Sequence, residues 1–180
     1  GAPWGGCSGG PARRRLPGMA VSTADLYDAH GERLQVLELP LLDLGARAAF
    51  SGRIRTVKAY EDNSKVKATL AEPGEGGVLV VDGAGSRRFA LLGDAIAASA
   101  VQQGWAGVVI FGCVRDAAVL AGMPVGIRAL GTTPRKTVKR GEGLVDVPVA
   151  FGGVRFHPGA WLYADRDGVV VADEALPAPS

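Results

Sequence analysis

Apolar and polar residues alternate with two different periods, and the change of period falls near Gly143. Before that point, short apolar runs are interleaved with segments whose apolar residues recur at helical spacing. Beyond it the period is two, which is typical of antiparallel strands. The pattern predicts an α/β domain with a mixed sheet and antiparallel C-terminal strands.

Four segments are predicted to be helices: 23–29, 63–71, 94–103 and 116–120. The first follows a Ser/Thr cap signal, and in the second the side chain of Asn63 could cap the helix. The third has its apolar residues on one face, and Gly104 follows as a stop. Asp94 and Asp116 stand at the starts of the third and fourth helices, so each could simply cap its own helix.

Nine segments are predicted to be strands: 52–60, 77–81, 89–92, 107–111, 125–130, 144–149, 153–156, 161–164 and 169–171. Continuous apolar runs at 77–81 and 107–111 indicate strands that are buried on both faces. Pro40 interrupts 34–44, which is expected to be extended or irregular. The polar and basic segment 131–143 is expected to be a mobile loop.

The first 18 residues differ from the rest of the chain. They contain Gly and Pro without periodicity, and Met19 follows them. A signal peptide would need an apolar central region, which this segment lacks. Residues 1–18 are therefore predicted to be a cloning remnant or a translated leader, and 19–180 to be a single domain.

Composition narrows the classes of partner. The net charge of +2 is too small to indicate nucleic acid or an anionic membrane as the main partner. No apolar run is long enough to cross a bilayer. Two cysteines, Cys7 and Cys113, indicate no disulfide framework and fit a cytoplasmic location, and two distant histidines exclude a Cys/His zinc pattern.

Candidate chemistry is concentrated in the strand–helix–strand unit from 89 to 116. If its two strands are parallel, Asp94, Arg115 and Asp116 all follow strand C-termini and lie at one edge of the sheet. The N–H groups at the start of the helix suit a carboxylate or phosphate, which Arg115 could also bind. Asp116 could bind a hard cation, Mg²⁺ or Mn²⁺ rather than Zn²⁺. Alternatively, Arg115 only pairs with a surface Asp.

The spacing Gly93-Asp94-x9-Gly-x2-Gly-x-Val-x2-Gly-x2-Arg115-Asp116 resembles the signature of a known family. It is the 4-hydroxy-4-methyl-2-oxoglutarate aldolase family, also called the regulator of ribonuclease activity A or RraA-like family. Further matches are Glu61-Asp62-Asn63, Val78 to Gly85 and Phe151-Gly152-Gly153. The resemblance covers about 23–174.

The resemblance implies a three-layer β/β/α swivelling-type fold and a homotrimer, possibly paired into a hexamer. It also implies a lyase dependent on a divalent cation, which cleaves 4-hydroxy-4-methyl-2-oxoglutarate into two pyruvates and also decarboxylates oxaloacetate. By position, the substrate contacts are Gly93, Asp94, Ala95, Ile96 and Arg115, and the metal ligand is Asp116. Asp94 is implied as a supporting acid. The general base is open between a water held by the metal, Asp94 and an acid of a neighbouring subunit.

Other functions remain open at this stage. Members of the same family that lack one of the two acids bind a ribonuclease, whereas this chain keeps both. The Gly-rich segment from Val78 to Gly85 would fit a methyltransferase, although the helix expected at once after such a loop is missing. Lys58 or Lys136 could form a Schiff base. Lys136, Lys139 and Arg140 could attract acidic substrates or form a solvated loop.

Overall fold

The computed structural model describes residues 22–177, so the predicted leader 1–18 lies outside the described residues. The elements are α1 (Thr23–His30), β1 (Gln35–Val36), β2 (Leu42–Asp43), β3 (Phe50–Lys58), α2 (Ser64–Leu70), β4 (Val78–Asp82), α3 (Asp94–Gln102), β5 (Gly107–Val114), α4 (Ala117–Leu120), β6 (Gly126–Thr132), β7 (Leu144–Val145), β8 (Val149–Phe151), β9 (Val154–Phe156), β10 (Trp161–Asp165) and β11 (Gly168–Ala172). Within 22–177, no helix has the length and apolar character needed to span a bilayer.

Strand β3 joins two halves of one mixed sheet. Its first residues pair antiparallel with β10, which continues to β11 and β1. Its last residues pair parallel with β4, which continues to β5 and β6, and β2 closes that edge antiparallel. The C-terminal ends of the four parallel strands, β3 to β6, therefore lie along one edge of the sheet.

The parallel half of the sheet is the middle one of three layers. On β4, Leu79 and Val81 face a core shared with α2 and α3, whereas Val78 and Val80 face a second core. The second core lies against the β8–β9 hairpin and the antiparallel half of the sheet. Because both faces of β4 and β5 are covered, these strands need continuous apolar runs rather than alternation. The predicted three-layer α/β fold with antiparallel C-terminal strands is confirmed.

Most predicted elements are present, with small shifts at their ends, but the strands predicted at 89–92 and 144–149 need correction. Segment 89–92 is not a strand, because only Ala90 forms bridges, to Cys113 and Lys136. The parallel strand that precedes α3 is β4, so the unit is β4–α3–β5. Segment 144–149 is split into β7 and the start of β8. The basic loop after β6 donates hydrogen bonds from its backbone and from Thr137 to residues 62–64, which lie just before α2 and at its first residue.

Gly107 and Gly126 lie under the ring of Phe50 at the start of β5 and β6. A Cβ on either glycine would overlap this ring, which packs in the second core and also lies 5.5 Å below the guanidinium of Arg128. The two glycines therefore provide the space that the Phe50 ring occupies.

Gly126→Ala is expected to lower the free energy of unfolding by about 2 kcal/mol, because overpacking a filled core forces side chains or backbone to move. Urea unfolding measures the change. In a Phe50→Leu background the same substitution should lower the free energy of unfolding clearly less, because the ring that the new methyl group would meet is absent. An equal cost in both backgrounds would contradict this account of Gly126.

Candidate active site

The ends of the four parallel strands meet around a small cleft of about 130 Å³. Each strand leads into a segment that lines it: Asn63 follows β3, Gly93 follows β4, Arg115 follows β5, and Lys136 follows β6. The other lining residues are Lys67, Ala90, Leu92, Asp94, Ala95, Ile96 and Lys139. This is the edge at which ligands of parallel α/β sheets collect.

The predicted substrate contacts are brought together here. Gly93, Asp94, Ala95, Ile96 and Arg115 all line the cleft, and the backbone of Arg115 is held by a 2.9 Å hydrogen bond from its N–H to Leu92 O. Asp116 is not among the lining residues. Its carboxylate lies behind Gly93, where a Cβ would come within 2.8 Å of Asp116 Oδ2 and 3.3 Å of Arg115 Nε. Gly93 is therefore the spacer that lets both side chains approach α3.

Asp116 caps a helix that is distant in sequence. Its Oδ2 accepts a 2.9 Å hydrogen bond from the backbone N–H of Asp94, the first residue of α3. The backbone of Asp116 is left-handed (φ 61°, ψ 38°), a conformation that Asp tolerates better than most residues. This turn directs the carboxylate back across the sheet edge instead of along α4.

Neither acid is a conventional N-cap of its own helix, although the side chain of Asp94 accepts a hydrogen bond from Ala95 N in the first turn of α3. Gly93 is the N-cap residue of α3, and Asp116 occupies the N-cap position of α4 without a capping hydrogen bond. The same is true of Asn63 at α2. The simple alternative, in which each Asp only caps the helix that follows it, is therefore wrong for Asp116, whose carboxylate caps α3 and not α4, whereas the side chain of Asp94 does bond to its own helix.

The N–H groups at the start of α3 are mostly occupied. Asp94 N donates to Asp116, and Ala95 N donates to the side chain of Asp94 at 2.7 Å. Among the described residues, the N–H of Ile96 has no acceptor, whereas that of Ala97 already bonds to Gly93 O. Two protein carboxylates thus occupy the positions that a substrate anion was expected to take.

Arg115 is placed to bind an anion. Its side chain is 40% exposed, and its Nε lies 3.9 Å from Asp116 Oδ2, beyond hydrogen-bonding distance. No other carboxylate in residues 22–177 forms an ion pair with it. The guanidinium therefore keeps its N–H donors available for a carboxylate at the cleft.

The donor set at Asp116 is compatible with a hard divalent cation. One carboxylate oxygen is used by Asp94 N, and the other accepts no hydrogen bond within the described part of the chain. Within that part, no group of three or more His, Cys, Asp or Glu side chains could hold a metal ion. Mg²⁺ is commonly bound through one or two carboxylates and keeps several waters, so a single carboxylate suffices for it but not for Zn²⁺.

Asp62 and Asn63 organise the basic loop, a role that sequence analysis did not predict. Asp62 is 2% exposed, and its carboxylate accepts hydrogen bonds from Ser64 N, Ser64 Oγ, Arg140 N and Glu142 N. Burial opposes ionisation, but these four bonds outweigh it and lower the pKa of Asp62 to about 2. The available signal was Asp-x-Ser just before a helix, a pattern that favours local side-chain to backbone bonds.

The Gly-rich turn after β4 has a structural explanation. Gly83 N and Gly85 N both donate to Phe111 O, and Asp82 accepts from Ala84 N at 2.9 Å. A Cβ on Gly83 would come within 2.6 Å of Leu91 Cδ1. The donors and the space that a nucleotide would need are used within the protein.

The two lysines considered for a Schiff base are separated by the fold. Lys58 is exposed at the end of β3 and is not among the residues that line the cleft. Lys136 does line it, beside Arg115 and Lys139. Lys67 also lines the cleft, and nothing in the sequence singled it out beyond its position on α2.

Comparison with known proteins identifies the family to which this fold belongs. The chain belongs to the RraA-like family (Aldolase/RraA), whose profile matches residues 23–171. A protein of Laribacter hongkongensis, provisionally named 4-hydroxy-4-methyl-2-oxoglutarate aldolase, is 53% identical over 158 residues, which are 88% of this chain and 99% of that protein.

Two solved structures of similar proteins carry different functional names. One is an S-adenosylmethionine:2-dimethylmenaquinone methyltransferase from Geobacillus kaustophilus HTA426, with 52% identity, a TM-score of 0.84, and coverage of 88% of this chain and 99% of that one. Another is the RNA-processing inhibitor RraA from Thermus thermophilis, with 45% identity, a TM-score of 0.85, and coverage of 88% and 96%. The names differ although the fold is shared, so function has to be argued from the site.

Proposed function

We propose that the cleft catalyses cleavage of 4-hydroxy-4-methyl-2-oxoglutarate into two pyruvates, and decarboxylation of oxaloacetate, as a lyase dependent on Mg²⁺ or Mn²⁺. The observation that carries the proposal is the meeting of Arg115, Asp94 and Asp116 at the N-terminus of α3. The provisional name of the Laribacter relative supports the cleavage reaction. Assembly as a homotrimer or hexamer stays a prediction.

Substrate binding would exchange one carboxylate for another. The carboxylate next to the keto group binds to Arg115 and to the N–H of Ile96, and it can also accept from Ala95 N. That exchange releases the exposed side chain of Asp94 from its 2.7 Å bond to Ala95 N. Asp94 is the single carboxylate among the lining residues, so its release places a base beside the substrate.

Carbon–carbon cleavage then needs one proton transfer in each direction. Asp94 takes the proton of the 4-hydroxyl group, the C3–C4 bond breaks, and its electron pair forms the enolate of pyruvate. The C4 fragment leaves as the second pyruvate, and Asp94 returns the proton to C3. Arg115 stabilises the negative charge that develops on the three-carbon fragment. Loss of CO₂ from oxaloacetate yields the same enolate, so one site can serve both reactions.

Asp116 would hold the cation, which when bound supplies Lewis-acid charge for the 2-keto oxygen. The structural role of Asp116 is separable from that role, because its bond to Asp94 N requires only an acceptor oxygen. Asp116→Asn keeps an oxygen for this bond and removes the negative charge. It therefore tests cation binding without removing the cap of α3.

Pyruvate formation from both keto acids should require a divalent cation. A coupled assay with Mg²⁺, Mn²⁺ or EDTA measures it, and a sample without protein corrects for spontaneous decarboxylation of oxaloacetate. We expect activity to fall to background in EDTA, to return with excess Mg²⁺, and to be lost in Asp116→Asn while thermal stability is kept. Full activity in EDTA or in this variant would contradict the proposed mechanism.

Binding of a ribonuclease is the second candidate function, favoured by the 45% identity to the Thermus RNA-processing inhibitor. It requires a docking surface and no turnover. Co-purification with an RNA-processing endoribonuclease, together with absence of cation-dependent pyruvate formation, would support this function. Methyl transfer has less support, since the Gly-rich turn is filled by Leu91 and Phe111.

A further inference from the structure

The side-chain amide of Asn63 has a hydrogen-bond donor that the protein does not use. Asn63 is only 7% exposed, and its Oδ1 accepts a 2.7 Å hydrogen bond from the hydroxyl of Thr137. Within residues 22–177, Nδ2 has no acceptor, whereas every fully buried side-chain nitrogen or oxygen atom there has a hydrogen-bond partner. Nδ2 is therefore not enclosed by protein, and the open space that Asn63 lines is the cleft.

Thr137 determines which end of this amide faces the cleft. Its hydroxyl oxygen accepts from Asn63 N at 3.4 Å, and its proton is donated to Asn63 Oδ1. With the amide turned over, an NH₂ group would face this hydroxyl, and the proton of a side chain that is only 4% exposed would lose its acceptor. The amide therefore presents its NH₂ group to the cleft and keeps its oxygen for Thr137.

Asn63 lies across the cleft from Arg115. Strand β4 separates β3, which leads to Asn63, from β5, which leads to Arg115. Because neighbouring strands are about 4.8 Å apart, the two strand ends are roughly 10 Å apart. Asp94, at the start of α3, follows the strand between them and lines the same cleft. A keto acid whose first carboxylate is bound by Arg115 therefore extends its C4 end past Asp94 toward Asn63.

We propose that Asn63 is a catalytic residue for carbon–carbon cleavage, with its Nδ2 donating a hydrogen bond to the 4-hydroxyl oxygen of the substrate. This inference rests on the proposed function and adds a residue to its site. A hydroxyl group that accepts from Asn63 turns its own proton toward Asp94, which takes it. The same donor stabilises the negative charge on this oxygen while the proton leaves, as a neutral side-chain donor does in an oxyanion hole.

The donor serves one of the two proposed reactions and not the other. Oxaloacetate has no 4-hydroxyl group, and its C4 is the carboxylate that departs as CO₂. Negative charge leaves this carboxylate as the C3–C4 bond breaks, so a hydrogen bond to it does not favour the transition state over the bound substrate. Loss of Nδ2 should therefore change the ratio of the two activities instead of lowering both.

The decisive measurement is this ratio in Asn63→Ala. For 4-hydroxy-4-methyl-2-oxoglutarate, kcat should fall about 100-fold, the usual effect of removing one oxyanion donor. For oxaloacetate, kcat should stay within about threefold of the parent value. Equal loss with both substrates in a folded variant, or unchanged cleavage, would overturn the role of Asn63. Absence of turnover of either substrate by the parent protein would refute the proposed function itself, and this inference with it.

Thr137 is the positioning residue for this donor, and its variants test the role with Nδ2 still present. In Thr137→Val the amide is free to turn, so cleavage should fall about tenfold while decarboxylation changes little, and Thr137→Ser should restore cleavage. Thr56→Val is the matched control, because it removes another buried threonine hydroxyl, which donates to Val147 O outside the cleft. A ratio that shifts as much in Thr56→Val as in Thr137→Val would overturn the proposal.

Discussion

Gly93→Ala should lower kcat/KM for oxaloacetate by about two orders of magnitude while leaving the fold intact. A methyl group at this position would lie 2.8 Å from Asp116 Oδ2 and 3.3 Å from Arg115 Nε, so both side chains must move. A displacement of about 1 Å at a reacting group can cost roughly 10²-fold in rate. The backbone of Gly93 is extended (φ −136°, ψ −170°), so alanine adds no backbone strain.

The contrast between activity and stability is what makes this substitution informative. The atoms that a methyl group would meet are the movable ends of side chains, so the free energy of unfolding should fall by no more than about 1 kcal/mol, the typical contribution of a helix cap such as the bond from Asp94 N to Asp116. Gly122→Ala is the matched control, since a Cβ there has only Val119 O nearby, at 3.8 Å. Steady-state assays and urea unfolding measure both properties. Unchanged activity in Gly93→Ala would show that the positions of Arg115 and Asp116 do not matter.

Asp62→Asn should lower the free energy of unfolding by about 3 kcal/mol at pH 7. Asparagine can keep one acceptor oxygen for Ser64, but its NH₂ group would then face the N–H groups of Arg140 and Glu142. Two partly buried hydrogen bonds to the charged carboxylate would be lost, and each such bond contributes roughly 1.5–3 kcal/mol. Urea unfolding measures the difference, and Asp28→Asn, at an exposed carboxylate of α1, is the control.

The difference between the parent protein and Asp62→Asn should depend on pH in a defined direction. The pKa of Asp62 is lowered from 3.8 to about 2 in the folded protein. The stabilisation that ionised Asp62 contributes to the folded protein is therefore complete above about pH 5, and it is lost as the pH falls from about 4 toward 2. A difference that stayed constant between pH 7 and pH 3 would mean that ionisation of Asp62 does not stabilise the loop.

Local sequence was sufficient to predict the elements whose signals lie within or beside their own residues. The third predicted helix became α3 with its start at Asp94, because an apolar face and a following glycine are enough to define it. The apolar runs became β4 and β5, because strands covered on both faces need no alternation. The strand predicted at 89–92 was wrong because that prediction, too, relied on local composition alone. An apolar segment can insert beside a strand through a single bridge, and its composition alone does not reveal this.

Roles at the site were harder to predict than its location. The order of strand and helix already places Asp94, Arg115 and Asp116 at one edge, since chain direction determines where strands end. It does not show that Asp116 caps α3 or that Asp94 occupies the N–H of Ala95. The cap on α3 depends on the turn at Asp116, whose positive φ is not encoded in a recognisable local pattern.

The sequence by itself determined the fold class, the family and the edge at which the chemistry lies, because periodicity, motif spacing and chain direction are local properties. Only the tertiary structure decided which groups share the cleft. Thr137 bonds to Asn63 across 74 positions, and through such contacts Lys136 and Lys139 lie beside Arg115. Long-range hydrogen bonds follow from how layers pack, and no segment considered alone contains that information.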